Sequence, residues 1–322
     1  MKILVTGGLG FIGHQVVKSL APLHSVAVID NVSDYGVLDA QELQHLVQLR
    51  RAEIGTDIEW YSTGIEHRST VDYVIGKVNP EIIIHLASFP RQKTVQARPD
   101  LAARTMIEGL VNVLESACSQ QVRRLVFVSS SMVYGDFQDH CDENTTCQPI
   151  GQYGILKLTG EHLVRDMSRR SHIEHVILRP SAVYGPRDVR DRVIAKFFQQ
   201  AWQNGTLVVN GRDEALDFTD VQDVTQGIVK AALSANTGNR TYNITRGESV
   251  KLLRAAGLIR DLVGRGTIKV QSRNQEYPSR GSLNIDAARR DFGYDPRISI
   301  ERGLENYYHW FVDTFHRSTK AV

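Results

Sequence analysis

In the stretch QYGILK, residues 152–157, Tyr153 and Lys157 stand four positions apart, downstream of the serine run Ser129, Ser130 and Ser131. On a helix that spacing puts both side chains on one face. A phenol beside an ammonium is material for a base that takes a proton from a sugar or alcohol hydroxyl, with a serine hydroxyl orienting the substrate oxygen and sharing its charge. An ordinary tyrosine titrates near 10, and lowering it by about three units takes roughly 4 kcal/mol of selective phenolate stabilisation. Tyrosine and lysine four apart also occur as a solvated pair worth a few tenths of a kcal/mol. The pair gains chemical meaning only if the chain also supplies a hydride acceptor.

TGGLGFIG, residues 6–13, places Gly7, Gly10 and Gly13 between an apolar run and a helix expected to begin near Phe11. Glycines there let a pyrophosphate approach backbone amides at a helix N-terminus, where partial positive charge collects. A glycine triplet alone is often just a tight turn. Here the second apolar run ends at Asp30, 20 residues after Gly10, where a carboxylate accepts hydrogen bonds from both ribose hydroxyls of an adenosine. The same charge repels a 2′-phosphate, so NAD is expected rather than NADP. The positive nicotinamide ring and the Lys157 ammonium together then supply a phenolate stabilisation of the order required, at an effective dielectric near 20.

The elements that must position these residues alternate. KILVTG (2–7), SVAVID (25–30), DIEWYST (57–63), EIIIHLA (81–87), RRLVFVSS (123–130) and HVILRP (175–180) read as strands, separated by helical periods clearest over 101–119 and 153–168. Continuous apolar runs without alternation imply strands buried on both faces. The fold class is therefore α/β, a doubly wound parallel sheet of Rossmann type with a smaller C-terminal α/β substrate-binding region. Residues 1–180 form the cofactor domain and 181–322 mainly the substrate domain. After 180 arginines cluster (Arg187, Arg190, Arg192), a helix follows over 194–204, and short elements alternate less regularly.

Composition excludes several classes. With 38 basic and 36 acidic residues among 322, the formal charge of +2 is too balanced for a nucleic-acid footprint. No apolar run approaches the roughly 20 residues that span a bilayer, so no membrane partner is expected. The 11 histidines form no ligand pattern, and no metal is expected. Cys118, Cys141 and Cys147 are odd in number and lack zinc spacing, which fits a reducing, cytoplasmic setting. The aromatic run YYHWF, 307–311, reads as core packing.

Over nearly its full length the chain resembles the extended short-chain dehydrogenase/reductases of the nucleotide-sugar epimerase/dehydratase family, of the UDP-glucose 4-epimerase kind. The stretches carrying the resemblance are TGGLGFIG, VIDNVSDYG, IIIHLAS, VFVSSSMVYGD, QYGILKLTGE, ILRPSAVYGP and LDFTDVQDV, in the family's order. The resemblance implies Ser130, Tyr153 and Lys157 as catalytic residues. It implies NAD contacts from Gly7, Gly10, Phe11, Ile12, Gly13, Asp30, Asn31, Ser33, Ile65, Leu86, Ala87, Ser88, Tyr153, Lys157 and Pro180. It also implies that 215–235 return to the cofactor domain, and that the helices near 100–119 and 153–170 build a homodimer through a four-helix bundle.

Departures from the family pattern shape the substrate expectation. Where 4,6-dehydrating members carry an Asp-Glu pair, this chain has Ser131 and Met132, and a thioether transfers no proton. Gly64 replaces an acid often found before Ile65. Met106 stands where an asparagine is common, Ser181 where the NVYG-like motif carries asparagine, and Leu216 where an arginine usually meets the diphosphate. Arg187, Arg212 or Arg280 are the candidate substitutes for that arginine. The loop FPRQKTV, 89–95, brings Arg91 and Lys93 to the sugar side, where they could pair a uronate carboxylate or a phosphate. The leading expectation is NAD-dependent C4 epimerisation of a nucleotide-diphosphate sugar through a transient 4-keto sugar. The rivals are a dehydrogenase, dehydratase or decarboxylase on the same scaffold, and a non-enzymatic NAD-binding protein, which has no need of Tyr153 and Lys157 together.

Overall fold

The computed structural model describes residues 1–315 except Asp34, Val37 and Thr56. Strand β1 (Lys2–Thr6) leads into helix α1 (Gly13–Leu20), then β2 (Ser25–Ile29), α2 (Ala40–Ile54), β3 (Glu59–Tyr61), α3 (Arg68–Val78) and β4 (Ile82–His85). Two short helices, α4 (Gln92–Ala97) and α5 (Pro99–Ala103), precede a π-helical turn at Arg104–Glu108 and α6 (Gly109–Ser119). β5 (Arg124–Val128), α7 (Gln152–Arg170) and β6 (Glu174–Pro180) complete the first half. The FPRQKTV stretch thus enters a helix at Gln92 rather than remaining loop, and the helix over 101–119 is interrupted by a wider turn.

The second half runs β7 (Val183–Tyr184), α8 (Val193–Trp202), β8 (Thr206–Asn210), β9 (Ala215–Leu216), β10 (Thr219–Asp220), α9 (Val221–Leu233), β11 (Arg240–Ile244), β12 (Val250–Lys251), α10 (Leu252–Val263), β13 (Thr267–Gln271), α11 (Asp286–Phe292) and α12 (Ile300–Phe315). Seven strands form one parallel sheet in the order β11-β6-β5-β4-β1-β2-β3. Six of them match the apolar runs of the first half. The seventh, β11, is absent from the sequence reading: its sequence RTYNI carries an arginine and an asparagine that mask the apolar run, yet it pairs with β6 from Arg240↔Val176 to Ile244↔Pro180.

Alternate residues of each strand feed opposite cores, as a two-faced sheet requires. Ile3, Val5, Val28 and Ile84 pack against α1 and α9, while Leu4, Ile83 and Leu125 pack against α3 and α6. Burying one such side chain contributes about 1.5–3 kcal/mol, so the sheet is a stiff platform. A third core joins α8, α10 and α12 through Phe198, Ile259 and Tyr307. Because the chain crosses from β1 outward on one side and from β4 outward on the other, the strand order reverses between β1 and β4. A crevice opens at that point beyond the carboxyl ends of the strands.

Candidate active site

The glycine loop fills one wall of the crevice. Gly7 has φ +75°, and a Cβ there would stand 2.7 Å from the Ala87 amide nitrogen; a Cβ on Gly13 would stand 2.0 Å from the Gly7 carbonyl oxygen. Both positions therefore require glycine, one for its backbone region and one for the close seat of α1 on the loop. Helix α1 begins at Gly13, slightly later than expected. Asp30, just past β2, accepts from the Leu9 amide at 2.8 Å and the Val32 amide at 2.7 Å, which fixes its carboxylate against the loop. Burial pushes this carboxyl above its usual range, opposed by those two amides and by Arg50 and Arg51.

Gly7, Gly10, Phe11, Asp30, Asn31, Ser33, Ile65, Leu86, Ala87 and Ser88 all line one cavity over the β1 and β2 ends. A dinucleotide fits this wall: a carboxylate at the second strand end, a backbone cradle without Cβ atoms, and apolar sides from Ile65 and Leu86. Sequence reasoning missed Arg50 of α2, which is buried and donates to the Leu9 carbonyl at 2.9 Å and to the Arg187 carbonyl at 2.8 Å. An interior helix arginine gives no local signal of this reach.

A second, larger cavity of about 680 Å³ continues from the first past the β5 and β6 ends, and Ile12, Gly13, Ser130, Tyr153, Lys157 and Pro180 line it. Ser130 caps a 3-10 turn over Ser131–Val133 by accepting from the Met132 amide at 3.2 Å. The Tyr153 amide donates to the buried Gln92 side chain at 3.0 Å, tying the first turn of α7 to α4. Gly154 and Gly160 let α7 close on the turn and on β5, since added Cβ atoms would lie 2.5 Å from the Met132 carbonyl oxygen and 2.7 Å from the Phe127 ring.

Ser130 and Tyr153 both line this cavity. Burial raises the Tyr153 phenol above its usual value, with Arg192 and the Ser130 hydroxyl opposing. The Lys157 ammonium donates to the Val128 carbonyl at 2.8 Å and lies 5.2 Å from the centre of the Phe127 ring. Burial lowers it to about 7, against the pull of Glu161. The spacing suggests that Lys157 is the cation acting on the tyrosine; in the structure its ammonium is held on the Val128 carbonyl, one turn of α7 beyond Tyr153.

Glu161, one turn beyond Lys157, holds the serine run from behind. It accepts from the Ser129 hydroxyl at 2.6 Å, from Arg179 at 2.9 and 2.7 Å, and from Arg165 at 2.9 Å. The LTGE stretch contains this residue, but only the meeting of α7 with β6 shows its partners.

The remaining predicted residues separate. Ser131 and Ser181 are buried in the larger cavity and bonded to each other at 3.0 Å, with Met132 beside them. Arg91 lines the cavity and pairs with Asp191, while Lys93 is exposed at the rim. Arg280 lines the far end with Tyr277 and Glu214; burial lowers its guanidinium to about 10, opposed by Glu214 and Tyr277. Two placements correct the sequence reading. The Arg187 guanidinium goes to Glu53 of α2 at 2.5 Å, drawn by a half-buried carboxylate, instead of lining the cavity. Arg212 is exposed and lines a separate surface depression with Lys269, because the tight turn at Gly211 (φ +86°) carries it outward. Among the described residues no group of three or more histidine, cysteine, aspartate or glutamate side chains could hold a metal.

A parallel sheet with a glycine cradle and an acid at its second strand, and a serine, tyrosine and lysine gathered past its fifth, define an extended short-chain dehydrogenase/reductase. The chain belongs to the NAD dependent epimerase/dehydratase family, whose pattern matches residues 3–245. It is 31% identical to the "Uncharacterized UDP-glucose epimerase YtcB" of Bacillus subtilis, over 95% of this chain and 96% of that protein. It is 29% identical to a "Putative UDP-glucose 4-epimerase" of Methanocaldococcus jannaschii, over 96% and 97%. Among solved structures, the UDP-glucuronic acid 4-epimerase of Bacillus cereus, in complex with UDP-glucuronic acid and NAD, superposes with a TM-score of 0.89 at 26% identity, covering 97% of this chain and 99% of that one.

Proposed function

We propose that this protein is an NAD-dependent 4-epimerase of UDP-sugars. The observation that carries the reading is that Ser130, Tyr153 and Lys157 line one cavity together with the glycines of the cradle, Tyr153 and Lys157 standing four apart on α7. Tyr153 takes the proton of the sugar C4 hydroxyl, and Ser130 donates to the same oxygen as it becomes a carbonyl. NAD, when bound, supplies the acceptor for the hydride leaving C4 and the donor that returns it. Lys157 holds positive charge beside the tyrosine and offers an N–H to a ribose hydroxyl. The cofactor contacts are Gly7, Gly10, Phe11, Ile12, Gly13, Asp30, Asn31, Ser33, Ile65, Leu86, Ala87, Ser88 and Pro180.

Return of hydride to the opposite face of the 4-keto sugar gives the epimer, for which Tyr153 returns the proton. Met132, buried at the cavity wall where a proton-transferring acid would serve elimination, supports epimerisation over loss of water. Arg280 meets the diphosphate, and Arg91 and Lys93 meet the sugar side. The cofactor region is 1–180 with 215–235, and 181–322 mainly hold the substrate. Two copies associate through the α6 and α7 faces, where Ile155 is 49% exposed, and the three free thiols suit the cytoplasm.

The test is incubation of the purified protein with UDP-glucose, UDP-galactose, UDP-glucuronate and UDP-galacturonate, read by mass and proton NMR. The expected product has unchanged mass and an inverted C4 proton. Loss of the mass of water or of carbon dioxide would overturn the epimerase assignment. Tyr153→Phe should lower kcat about 10²–10⁴-fold.

A further inference from the structure

Helix α7 carries Tyr153 and Lys157, yet its own capping position supplies no cap. That position is Gly151, which has no side chain to offer and stands at φ +82°, a backbone region that other residues rarely adopt. A Cβ there would also run into the side-chain nitrogen of Gln92. The first amides of a helix have no partner within it, and the capping residue ordinarily accepts from the second or third of them. Tyr153 is the second residue of α7, and its amide donates to the Gln92 side-chain oxygen at 3.0 Å. Gln92 opens α4, 61 positions away, and is 4% exposed. A backbone amide only donates, so it faces the oxygen, which fixes the way the Gln92 side chain points.

We propose that Gln92 is a positioning residue for the reaction: it caps α7 in place of Gly151 and so fixes where Tyr153 stands over the cavity. This rests on Tyr153 being the base. Gln92 acts through the α7 backbone, and the residues around it complete the seat. The Tyr153 side chain packs against a small core of Phe89, Val95, Ala102 and Met106, so the segment that holds its backbone also holds its ring. On the other side the serine turn stops the helix, since a Cβ on Gly154 would lie 2.5 Å from the Met132 carbonyl oxygen. The first turn of α7 is thus clamped between the turn over Ser131–Val133 and α4, with the Gln92 bond as its polar anchor. Without that bond the first turn is free to fray, and a reacting group misplaced by about 1 Å loses on the order of 10²-fold in rate. Arg91 and Lys93, the neighbours of Gln92, line the same cavity, so the stretch assigned to the sugar side is also the stretch that seats the base.

The test compares holoenzyme of the parent, Gln92→Met, Gln92→Asn, Gln92→Glu and Tyr153→Phe. Amide hydrogen exchange across the start of α7 is read by mass spectrometry, and kcat, KM and bound NAD are measured with UDP-glucose and UDP-glucuronate. Gln92→Met keeps the length of the side chain and removes its oxygen, so exchange in the first turn of α7 should quicken by about 5- to 10-fold, the factor that loss of a typical cap gives. Its kcat per bound NAD should fall about 10- to 100-fold while KM stays within about threefold. Gln92→Asn withdraws the same amide by one methylene and reads the same effects if Gln92→Met folds poorly. Gln92→Glu presents an oxygen at the original reach and should restore slow exchange. Unchanged exchange in both Gln92→Met and Gln92→Asn, or fast exchange in Gln92→Glu, would overturn the capping contact. Fast exchange with kcat per bound NAD at the parental value would overturn the positioning role while Tyr153→Phe remains inactive. A Tyr153→Phe variant as active as the parent would overturn the base assignment itself, and the exchange measurement, which needs no substrate, separates that failure from loss of the cap.

Discussion

Replacing Glu161 by glutamine tests whether the serine run is held by charge or by shape. Glu161 is fully buried, and its close cations among the described residues are Arg179, itself 3% exposed, and the partly exposed Arg165. Glutamine keeps the volume and one acceptor but removes the charge. That leaves the Arg179 guanidinium buried without an anion and turns an amide N–H₂ toward its donors. Breaking a buried pair from one side costs about 3–5 kcal/mol, a large part of a total stability of about 5–15 kcal/mol.

The assay is urea unfolding followed by tryptophan fluorescence, on Glu161→Gln, Arg179→Met and the double variant. Either single change should cost a similar amount, and the double should cost at least about 2 kcal/mol less than their sum, because removing both charges leaves nothing uncompensated. Burial alone would raise the Glu161 carboxyl, yet the hydrogen bonds and charge of Arg179, with Ser129 and Arg165, bring it below its usual value. Its stabilisation is therefore present above the unfolded carboxylate pKa and lost as pH falls through the lower folded value. A single-variant cost of about 1 kcal/mol or less, or strict additivity in the double, would refute the reasoning.

Two further changes probe the cradle and the sheet beneath it. Gly13→Ala puts a Cβ 2.0 Å from the Gly7 carbonyl oxygen, so α1 must shift off the loop; purified protein should carry little or no NAD, read by absorbance after acid release, and lose about 1–3 kcal/mol of stability. His85, bonded to Thr6 at 3.0 Å, is lowered to about 3 by burial and by the Lys157 ammonium. Its unfolded form binds a proton below about 6.5 that the folded form refuses, so it removes about 1.4 kcal/mol of stability per pH unit on acidification. His85→Gln should flatten the fall in urea midpoint between neutral and mildly acid pH by that amount, and an unchanged slope would refute the assignment.

The elements with a local code were legible. Six strands announced themselves as apolar runs, and the glycine loop with Asp30 announced a dinucleotide site, because spacing along one strand, one turn and one helix fixes those residues' neighbours. β11 was not legible, since Arg240 and Asn243 interrupt its apolar pattern and its burial comes only from pairing with β6. The loop 89–95 turned into α4 because Gln92 finds its partner in the Tyr153 amide, 61 positions away. Arg187 and Arg280 were equivalent candidates in the sequence. The fold separates them, sending one to Glu53 and the other into the cavity.

The segment 186–192 shows why charge pattern alone misled. As a sequence, PRDVRDR reads as a cluster of arginines, with Arg187 a candidate to meet the substrate diphosphate. In the fold its charges are distributed over the cofactor half: Arg187 to Glu53, Arg190 to Glu42, Asp191 to Arg91, while Arg50 of α2 binds the Arg187 carbonyl from beneath. Of these pairs only Arg190–Glu42 is half-exposed and worth about 0–1 kcal/mol; in the more buried two, desolvation offsets much of the attraction, so all three are a weak source of stability. Their effect is geometric. Several weak tethers from two helices and a loop, closing on the buried Asp188 and Arg192, allow this segment one course across the crevice. The glycine loop and Tyr153 consequently share a wall contributed by this segment, which under the proposed function couples where the cofactor sits to where the sugar sits.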